Sequence, residues 1–404
     1  MPSSDNQYSA AEQALGYIYQ IRYALFQTLR LPETTMCFIE KDDDIDFTDP
    51  EEGKLLASLK HKAPGEVLTN LSPDFWKSVY IWANYLNRQD ISTESTFFYL
   101  FTTGRVSQGS LLESFLPTTQ KKDNLTDNVL EALSTSKSKT INKTYQLLSK
   151  FSHNTLTDFF RRILIFDCQE RIQNIPSLII SKLFRPIRLQ FRRPVYERLE
   201  GWWLNECINI LAGQRNTPLR GLEVSERLGF ITEQFQEDSL PIDFEFAEPE
   251  NDVSPATDNR YFVMQLRAIG LKSDRIRRAI LDYYRAFQQR NLWMREMADL
   301  SGELETYDDR LVDEWDRLRE VVFEDLSDST PEDLLQKTGR ELLNRLSTSG
   351  LPNLRIRPRV TATFVTTGSY HILANETLPR VHWHPKFRER MAEILMGGEH
   401  EDME

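Results

Sequence analysis

The chain has 404 residues, more than one domain usually holds, and its 40% hydrophobic and 27% charged residues are the balance of a globular protein. No stretch approaches the ~20 apolar residues of a membrane span, and the polar N-terminus has no signal-peptide pattern, so a cytoplasmic protein is expected. The net charge of −12 argues against nonspecific DNA binding over the whole surface. Cys37, Cys168 and Cys207 lack metal or disulfide spacing, which predicts three buried small hydrophobes.

The first hundred residues predict an α/β module. Helical periodicity runs over 10–31, and a second amphipathic helix begins at a Ser-Pro cap and covers 71–86. Strand-like runs cover 35–40, with a possible continuation to 46, then 54–59 and 95–104. The predicted order is helix, strand, strand, helix, strand.

The remainder of the chain is predicted to be mainly helical. Residues 145–207 have a helical pattern whose second half is rich in arginine, and 221–235 is a further helix candidate. After an acidic loop, 261–319 is strongly helical with breaks expected at Gly270 and Gly302, and 361–373 is a short mixed segment. These patterns divide the chain into an N-terminal domain (1–145), a basic helical connection (146–212) and a C-terminal region (213–404).

The segment 39–62 combines the residue types that phosphodiester hydrolysis requires. Such chemistry uses a divalent cation held by hard oxygen ligands, a positioned water and a nearby cationic side chain. Because side chains alternate along a strand, Ser58 and Lys60 point to one side, and Asp44 shares a face with Asp46. Taken alone, acids before a turn are more often a solvated strand end. The PD-(D/E)xK arrangement would supply these groups from a hairpin, with a metal-binding Asp on the first strand and a Lys that orients the water on the second.

Motifs in the same order across the first 105 residues carry a resemblance. They are Gly16-Tyr17-x-Tyr19-Gln20, Glu40-x-x-Asp43-Asp44-Ile45, Ser58-x-Lys60-His61, Asp74-Phe75-Trp76-Lys77 and Thr102-Thr103-Gly104. This stretch resembles the PD-(D/E)xK (restriction-endonuclease-like) double-strand DNA endonuclease domain of Cap-type effectors in CBASS and related antiphage systems. The resemblance implies a nuclease dependent on Mg²⁺ or Mn²⁺.

The resemblance also implies roles for individual residues. Asp44 would be the first metal ligand, Lys60 the catalytic lysine, and Gln20 would reach the site from the first helix. Glu40 or Asp43 would either contact the metal ligands or serve as an alternate ligand. Ser58 stands where the family has Glu or Gln, and a hydroxyl is a weaker Mg²⁺ ligand. Either a backbone carbonyl or Glu40 then supplies the second ligand, or the site is degenerate.

The C-terminal half resembles the C-terminal regions of ABC-three-component system proteins. The matching segments are 240–242, 261–270, 275–280, 282–290, 302–304 and 314–315. Together the halves resemble the nuclease effector subunit of a Lamassu-type system. That resemblance implies an SMC-like ATPase that restrains the nuclease, a small accessory subunit, and a homo-oligomer as the active form, since cutting both strands needs two sites.

Two surfaces are predicted beyond the catalytic residues. A partner-binding surface is expected at Tyr283, Tyr284, Arg285, Phe287 and Trp293, because aromatic and Arg residues are enriched at interfaces; an ordinary helix with an aromatic seam is the alternative. Contacts to double-stranded DNA are expected from His61, Lys62, Arg185, Arg188, Arg192 and Arg193. Ion pairing of those arginines with the acidic C-terminal half is equally compatible with the sequence, and a non-catalytic scaffold in the same complex is the rival function.

Overall fold

Two parts of the chain make their contacts mainly within themselves, Met1–Thr232 (unit 1) and Glu233–Glu404 (unit 2). The computed structural model describes residues 4–88, 95–120, 124–297, 299–348 and 354–390, with the side chains of 4–10 and 12 excepted. Unit 1 combines a mixed sheet with helices, and unit 2 is mainly helical. The predicted division into an α/β N-terminal part and a helical C-terminal part is confirmed.

Unit 1 is built on a six-stranded sheet with the order β7-β5-β3-β2-β1-β8, beside a two-stranded sheet of β4 and β6. The strands are β1 (Met36–Ile39), β2 (Ile45–Asp49), β3 (Gly53–Lys60), β4 (Val67–Leu68), β5 (Thr96–Thr102), β6 (Arg105–Val106), β7 (Ile163–Phe166) and β8 (Leu219–Arg220). β1, β2 and β3 pair antiparallel, whereas β3, β5 and β7 are parallel. The C-terminal ends of the three parallel strands therefore lie at one edge of the sheet.

Helices cover both faces of this sheet. α1 (Ser4–Thr28) places Tyr23 against Phe101, with ring centroids 5.0 Å apart, and α2 (Pro73–Asn87) places Trp82 against Phe98 at 5.5 Å. Phe98 and Phe101 are three residues apart on β5, so their side chains point to opposite faces. α2 buries Phe75, Trp76, Val79 and Trp82, as its amphipathic pattern predicts.

The predicted continuation of the first strand to residue 46 is wrong. The run divides into β1 and β2, separated by a turn over 40–44 in which Glu40 has a φ of +52°. The carboxylate of Asp46 stabilises this turn, because it accepts hydrogen bonds from the backbone N–H groups of Asp42 (3.0 Å) and Asp43 (3.1 Å). The extra turn creates three antiparallel strands where the sequence predicts two.

Unit 1 also extends further along the chain than the predicted boundaries at 145 and 212. β7 pairs with β5 and β8 pairs with β1, so residues from the predicted connection and beyond complete the sheet. The remaining helices of this part are α3 (Leu125–Ser134), α4 (Lys139–Leu148), α5 (His153–Arg161), α6 (Ile175–Leu178), α7 (Arg192–Leu211) and α8 (Gly221–Gln234). Cys37 and Cys207 are buried as predicted, but Cys168, just after β7, is exposed.

Unit 2 contains α9 (Tyr261–Ala268), α10 (Ser273–Glu296), α11 (Leu300–Phe323), α12 (Glu332–Thr348) and α13 (Thr363–Ala374). The break predicted at Gly270 is confirmed, with a φ of +69°. Gly302 lies inside α11 instead of breaking a helix, and the segment predicted as mixed forms α13. Gly368 lets α13 approach α10 closely, because a Cβ there would overlap the carbonyl oxygen of Asp282. Across the described ranges, no helix has both the length and the apolar composition to cross a membrane.

Candidate active site

The side chains of Asp44, Ser58 and Lys60 meet where β3 ends. Lys60 Nζ lies 2.9 Å from Ser58 Oγ and 3.2 Å from Asp44 Oδ2. The backbone N–H of Leu59 also donates to Asp44 Oδ2, at 2.6 Å. The prediction that Ser58 and Lys60 point to the same side of β3 is confirmed, and the antiparallel pairing of β2 with β3 brings Asp44 to them.

Ser58 uses all of its hydrogen-bonding capacity within the protein. Its hydroxyl accepts from Lys60 Nζ and from Ser78 Oγ (2.8 Å), and it donates to Asp44 Oδ2 at 3.2 Å. One donor and two lone pairs are all that a serine hydroxyl offers. Ser58 therefore holds Lys60 and Asp44 in position and has no lone pair left for a metal ion.

Glu40 and Gln20 form the second part of the site. Burial, and next the nearby charge of Asp44, raise the pKa of Glu40, while a hydrogen bond from Gln20 and the charge of Lys60 lower it. Gln20 is buried on α1, and its Oε1 atom has no hydrogen-bond partner among the described residues. The structure thus brings Gln20 to Glu40, close to Asp44 and Lys60.

Asp43 faces α2 rather than an open coordination position. Its Oδ2 accepts a hydrogen bond from Trp82 Nε1, and its Oδ1 accepts one from the backbone N–H of Asp44 at 2.9 Å. Burial, and then the charge of Asp44, raise the pKa of Asp43 to about 7. Because both oxygens are engaged, this geometry favours a role in positioning Asp44 over the predicted role as a metal ligand.

The remaining donors suit a cation that keeps most of its water. Among the described residues, no group of three or more His, Cys, Asp or Glu is arranged to hold a metal ion. Within the same ranges, Asp44 Oδ1 accepts no hydrogen bond, since the three donors to this carboxylate all bond to Oδ2. One carboxylate oxygen, the amide oxygen of Gln20 and nearby Glu40 are hard oxygen donors of the kind that Mg²⁺ takes together with several waters.

Two predicted DNA contacts, His61 and Lys62, follow β3. The His61 ring lies 5.0 Å from the Tyr19 ring, and its Nε2 atom is buried without a hydrogen-bond partner among the described residues. Burial, and to a lesser extent the charge of Arg171, lower the pKa of His61. Lys62 forms ion pairs with Asp74 and with Glu66. Its charge is therefore balanced within unit 1.

The four predicted arginines lie together before and at the start of α7. Arg185, Arg188 and Arg193 are exposed, and Arg193 forms a 2.9 Å ion pair with Glu197. Arg192 donates to the backbone carbonyls of Ile187 (2.8 Å) and Arg185 (3.0 Å), so it stabilises the local loop.

The predicted partner surface is only partly exposed. Trp293 belongs to the core of unit 2, since it is fully buried and its Nε1 donates to the carbonyl of Pro241 at 2.7 Å; its assignment to a surface is wrong. Tyr283 stacks with Phe287, whose exposed fraction is 44%. Tyr284 is half-buried, and Arg285 Nε donates to the carbonyl of Ala247 at 2.9 Å.

Sequence reasoning missed the contribution of α2 to the site. Ser78 and Trp82 are one helical turn apart and bond to Ser58 and Asp43 respectively. A serine at a position that the amphipathic pattern places beside buried Trp and Val residues is the signal that could have identified Ser78. The role of Trp82 depends on the turn over 40–44, which has no such signal.

Solved structures with low similarity to this chain include two receptors. A Moraxella osloensis Cap4 SAVED/CARF-domain containing receptor is 12% identical, with a TM-score of 0.33 over 63% of this chain and 59% of that chain. An Acinetobacter baumannii Cap4 SAVED/CARF-domain containing receptor with the cyclic trinucleotide 2'3'3'-cAAA is 14% identical, with a TM-score of 0.33 over 63% of this chain and 56% of that one. This chain thus spans less than two thirds of these receptors.

No curated protein matches the chain. Residues 262–391 match the family model of C-terminal domain 7 of the ABC-three component (ABC-3C) systems. This match lies within unit 2, so the similarity to ABC-three component systems concerns the C-terminal part of the chain.

Proposed function

We propose that unit 1 is a metal-dependent double-strand DNA endonuclease and that this chain is the effector of its ABC-three component system. The observation that carries the proposal is the convergence of Lys60 Nζ and Asp44 Oδ2, 3.2 Å apart, at the end of an antiparallel strand pair. A lysine at the end of one strand and a carboxylate directly before the adjacent strand are the arrangement expected of a PD-(D/E)xK site.

Each residue of the site has a role in the proposed reaction. Asp44 Oδ1 and Gln20 Oε1, with Glu40 beside them, would hold Mg²⁺ or Mn²⁺. A cation held there would supply a coordinated water of lowered pKa and would stabilise charge on the phosphate. Lys60 orients the attacking water and places a positive charge beside the reacting phosphate. Ser58 fixes the lysine through the 2.9 Å hydrogen bond, so it supports the geometry and does not ligate the metal.

Unit 2 is proposed to bind the partners, an SMC-like ATPase and a small accessory subunit. The domain match over 262–391 supports this role. Phe287 and the half-buried Tyr283 and Tyr284 are the part of the predicted surface that a partner could reach. A homo-oligomer is proposed as the active form, because two strands need two sites.

The test is cleavage of supercoiled and linear plasmid by the purified chain, with Mg²⁺, with Mn²⁺ and with EDTA. Wild type should cut in either metal and stop in EDTA. Lys60→Ala and Asp44→Asn should each lose about 100-fold or more, the contribution expected of a catalytic proton-transfer group or a metal ligand. Lys143→Ala removes an exposed lysine from α4 and should retain full activity.

A catalytically degenerate scaffold or DNA-binding subunit is the second candidate. It is favoured by the saturated hydroxyl of Ser58 and by the lack, among the described residues, of a group of three metal-ligating side chains. Wild type that binds DNA but cuts none of it, alone or with the ATPase and accessory subunit, would establish this role and refute the nuclease.

A further inference from the structure

A cavity of about 390 Å³ opens in unit 1 between α1 and the segment that follows β7. Arg30 lies on the α1 side, Lys182 lies on the opposite side, and Cys168, Gln169 and Glu170 line the part next to the sheet. The lining thus carries two cations against one carboxylate. This balance contrasts with the net charge of −12 for the whole chain.

Both cations are presented by specific local structure. The guanidinium of Arg30 lies over the ring of Phe26, 5.0 Å from its centroid, and Phe26 also lines the cavity. Lys182 belongs to a π-helical turn, Ile179–Leu183, that continues directly from α6. Single π-turns are rare and occur frequently at functional sites, because they change the direction of the side chains that they carry.

The cavity lies at the sheet edge that also holds the candidate active site. The backbone N–H of Gln169 donates to the carbonyl of Thr102 at 2.9 Å, and Thr102 is the β5 partner of Lys60. The Gln169 side chain is fixed by a 2.7 Å hydrogen bond from Tyr23. Two strand spacings separate the backbone of Gln169 from that of Lys60, so the end of the cavity next to Gln169 begins about 10 Å from the Lys60 backbone, on the face of the sheet that α1 covers.

We propose that this cavity is a second phosphate-binding subsite, which holds the DNA backbone beyond the cleaved bond through Arg30 and Lys182. The inference rests on the proposed nuclease function. Each strand of duplex DNA carries one negative charge per ~3.4 Å of helix axis, so a strand that passes Lys60 presents further phosphates on either side of the cleaved bond. The subsite gives an acidic protein a local cationic contact that fixes the direction of the strand relative to Lys60.

Modification of the Cys168 thiol can report whether the cavity is occupied, because Cys168 lines the cavity. The structure describes all three cysteines, and Cys168 is exposed whereas Cys37 and Cys207 are buried. The full chain carrying Lys60→Ala, which binds without cutting, is mixed with a short DNA duplex and treated with a maleimide. Mass spectrometry then follows modification of Cys168. We expect the duplex to slow the modification about fivefold or more, as bound phosphate covers the cavity. Cys168→Ser identifies any modification at the buried cysteines.

A second measurement uses the salt dependence of duplex binding in the same Lys60→Ala background. Replacing Arg30 and Lys182 with Ala should reduce the slope of log Kd against log salt concentration by about 2, since each phosphate contact contributes about 0.9. The matched control replaces Lys143 and Lys150 with Ala. It removes the same charge from exposed positions in and just after α4, and it should leave the slope unchanged.

The outcomes separate the two proposals. If the duplex binds but Cys168 is unprotected and the salt slope does not change, the subsite is refuted and the nuclease proposal stands. If the duplex does not bind at all, both fail. Protection together with the reduced slope establishes the subsite even where cleavage itself awaits a partner.

Discussion

The hydrogen bond from Trp82 to Asp43 can be tested with a control from the same helix. Trp82→Phe keeps an aromatic ring against Phe98 and removes the indole N–H that bonds to the Asp43 carboxylate. Trp76, also on α2 and also fully buried, donates its indole N–H to the neutral carbonyl of Asn70 at 2.7 Å. Trp76→Phe therefore removes the same atoms and differs in the charge of the acceptor.

The structure sets the expected difference in the free energy of unfolding. A hydrogen bond to a charged group contributes about 1.5–3 kcal/mol, and one between neutral groups about 0.5–1.5 kcal/mol. With Asp43 ionised, Trp82→Phe should cost about 1–2 kcal/mol more than Trp76→Phe. The extra cost should disappear when the carboxyl is protonated.

The pH dependence follows from the pKa of Asp43, which burial raises from 3.8 to about 7 in the folded protein. The folded state holds a proton between these values, so wild type loses stability as pH rises from about 4 to about 7. The Trp82 bond favours the ionised form. Without it the folded pKa rises further, so the loss of stability continues above pH 7 and the extra cost of Trp82→Phe increases there. Asp46, whose pKa burial also raises, is unchanged in both variants.

Urea unfolding of wild type and both variants, in EDTA at about pH 5 and about pH 9, measures this difference. Trp82→Phe should be the less stable variant at the higher pH and close to Trp76→Phe at the lower. Equal costs at both pH values would refute a charge-assisted bond to Asp43, and with it the view that α2 positions the turn over 40–44.

Three further changes test the site and unit 2. Ser58→Ala removes the hydroxyl that accepts the 2.9 Å hydrogen bond from Lys60, so we expect the free energy of unfolding to fall by about 1 kcal/mol and plasmid cleavage to slow. The affinity for Mg²⁺ should not change, since the hydroxyl is not a ligand. Gly368→Ala introduces an overlap with α10 and should cost about 2–3 kcal/mol, whereas Gly302→Ala, with nothing within 4 Å, should stabilise α11 by up to about 1 kcal/mol. Thermal unfolding of these two glycine variants, compared with wild type, measures both changes in stability. Trp293→Ala should destabilise unit 2 by about 3–5 kcal/mol, while Phe287→Ala should leave its stability within about 0.5 kcal/mol and weaken binding of the ATPase in co-purification.

The parts of the site that sequence predicts are those governed by local geometry. Alternation along β3 places Ser58 beside Lys60 from their spacing alone. The contacts of Ser78 with Ser58 and of Trp82 with Asp43 join positions 20 and 39 residues apart. They require a particular packing of α2 on the sheet, which periodicity in one segment does not encode.

The strands that extend unit 1 beyond residue 145 are difficult to predict from sequence for a related reason. β7 is a four-residue apolar run, and a run of that length is compatible with either a buried strand or a helix. β8 has two residues and therefore no pattern to detect. Gly302 shows the opposite case, in which a local signal predicts a break that packing overrides. A helix that packs well tolerates a glycine at a cost of about 1 kcal/mol.

The position of β1 between β2 and β8 has a consequence for synthesis on the ribosome. The strands that carry Asp44 and Lys60 emerge early, but β1 keeps an open hydrogen-bonding edge until residues 219–220 have been translated. The parallel pairing of β5 similarly waits for β7. A nascent chain therefore exposes the β1 edge until residue 219 and the β5 edge until residue 163 has been made, and such edges invite pairing with other chains. Shielding of these edges during synthesis is then a requirement of the strand order, separate from the stability of the finished fold.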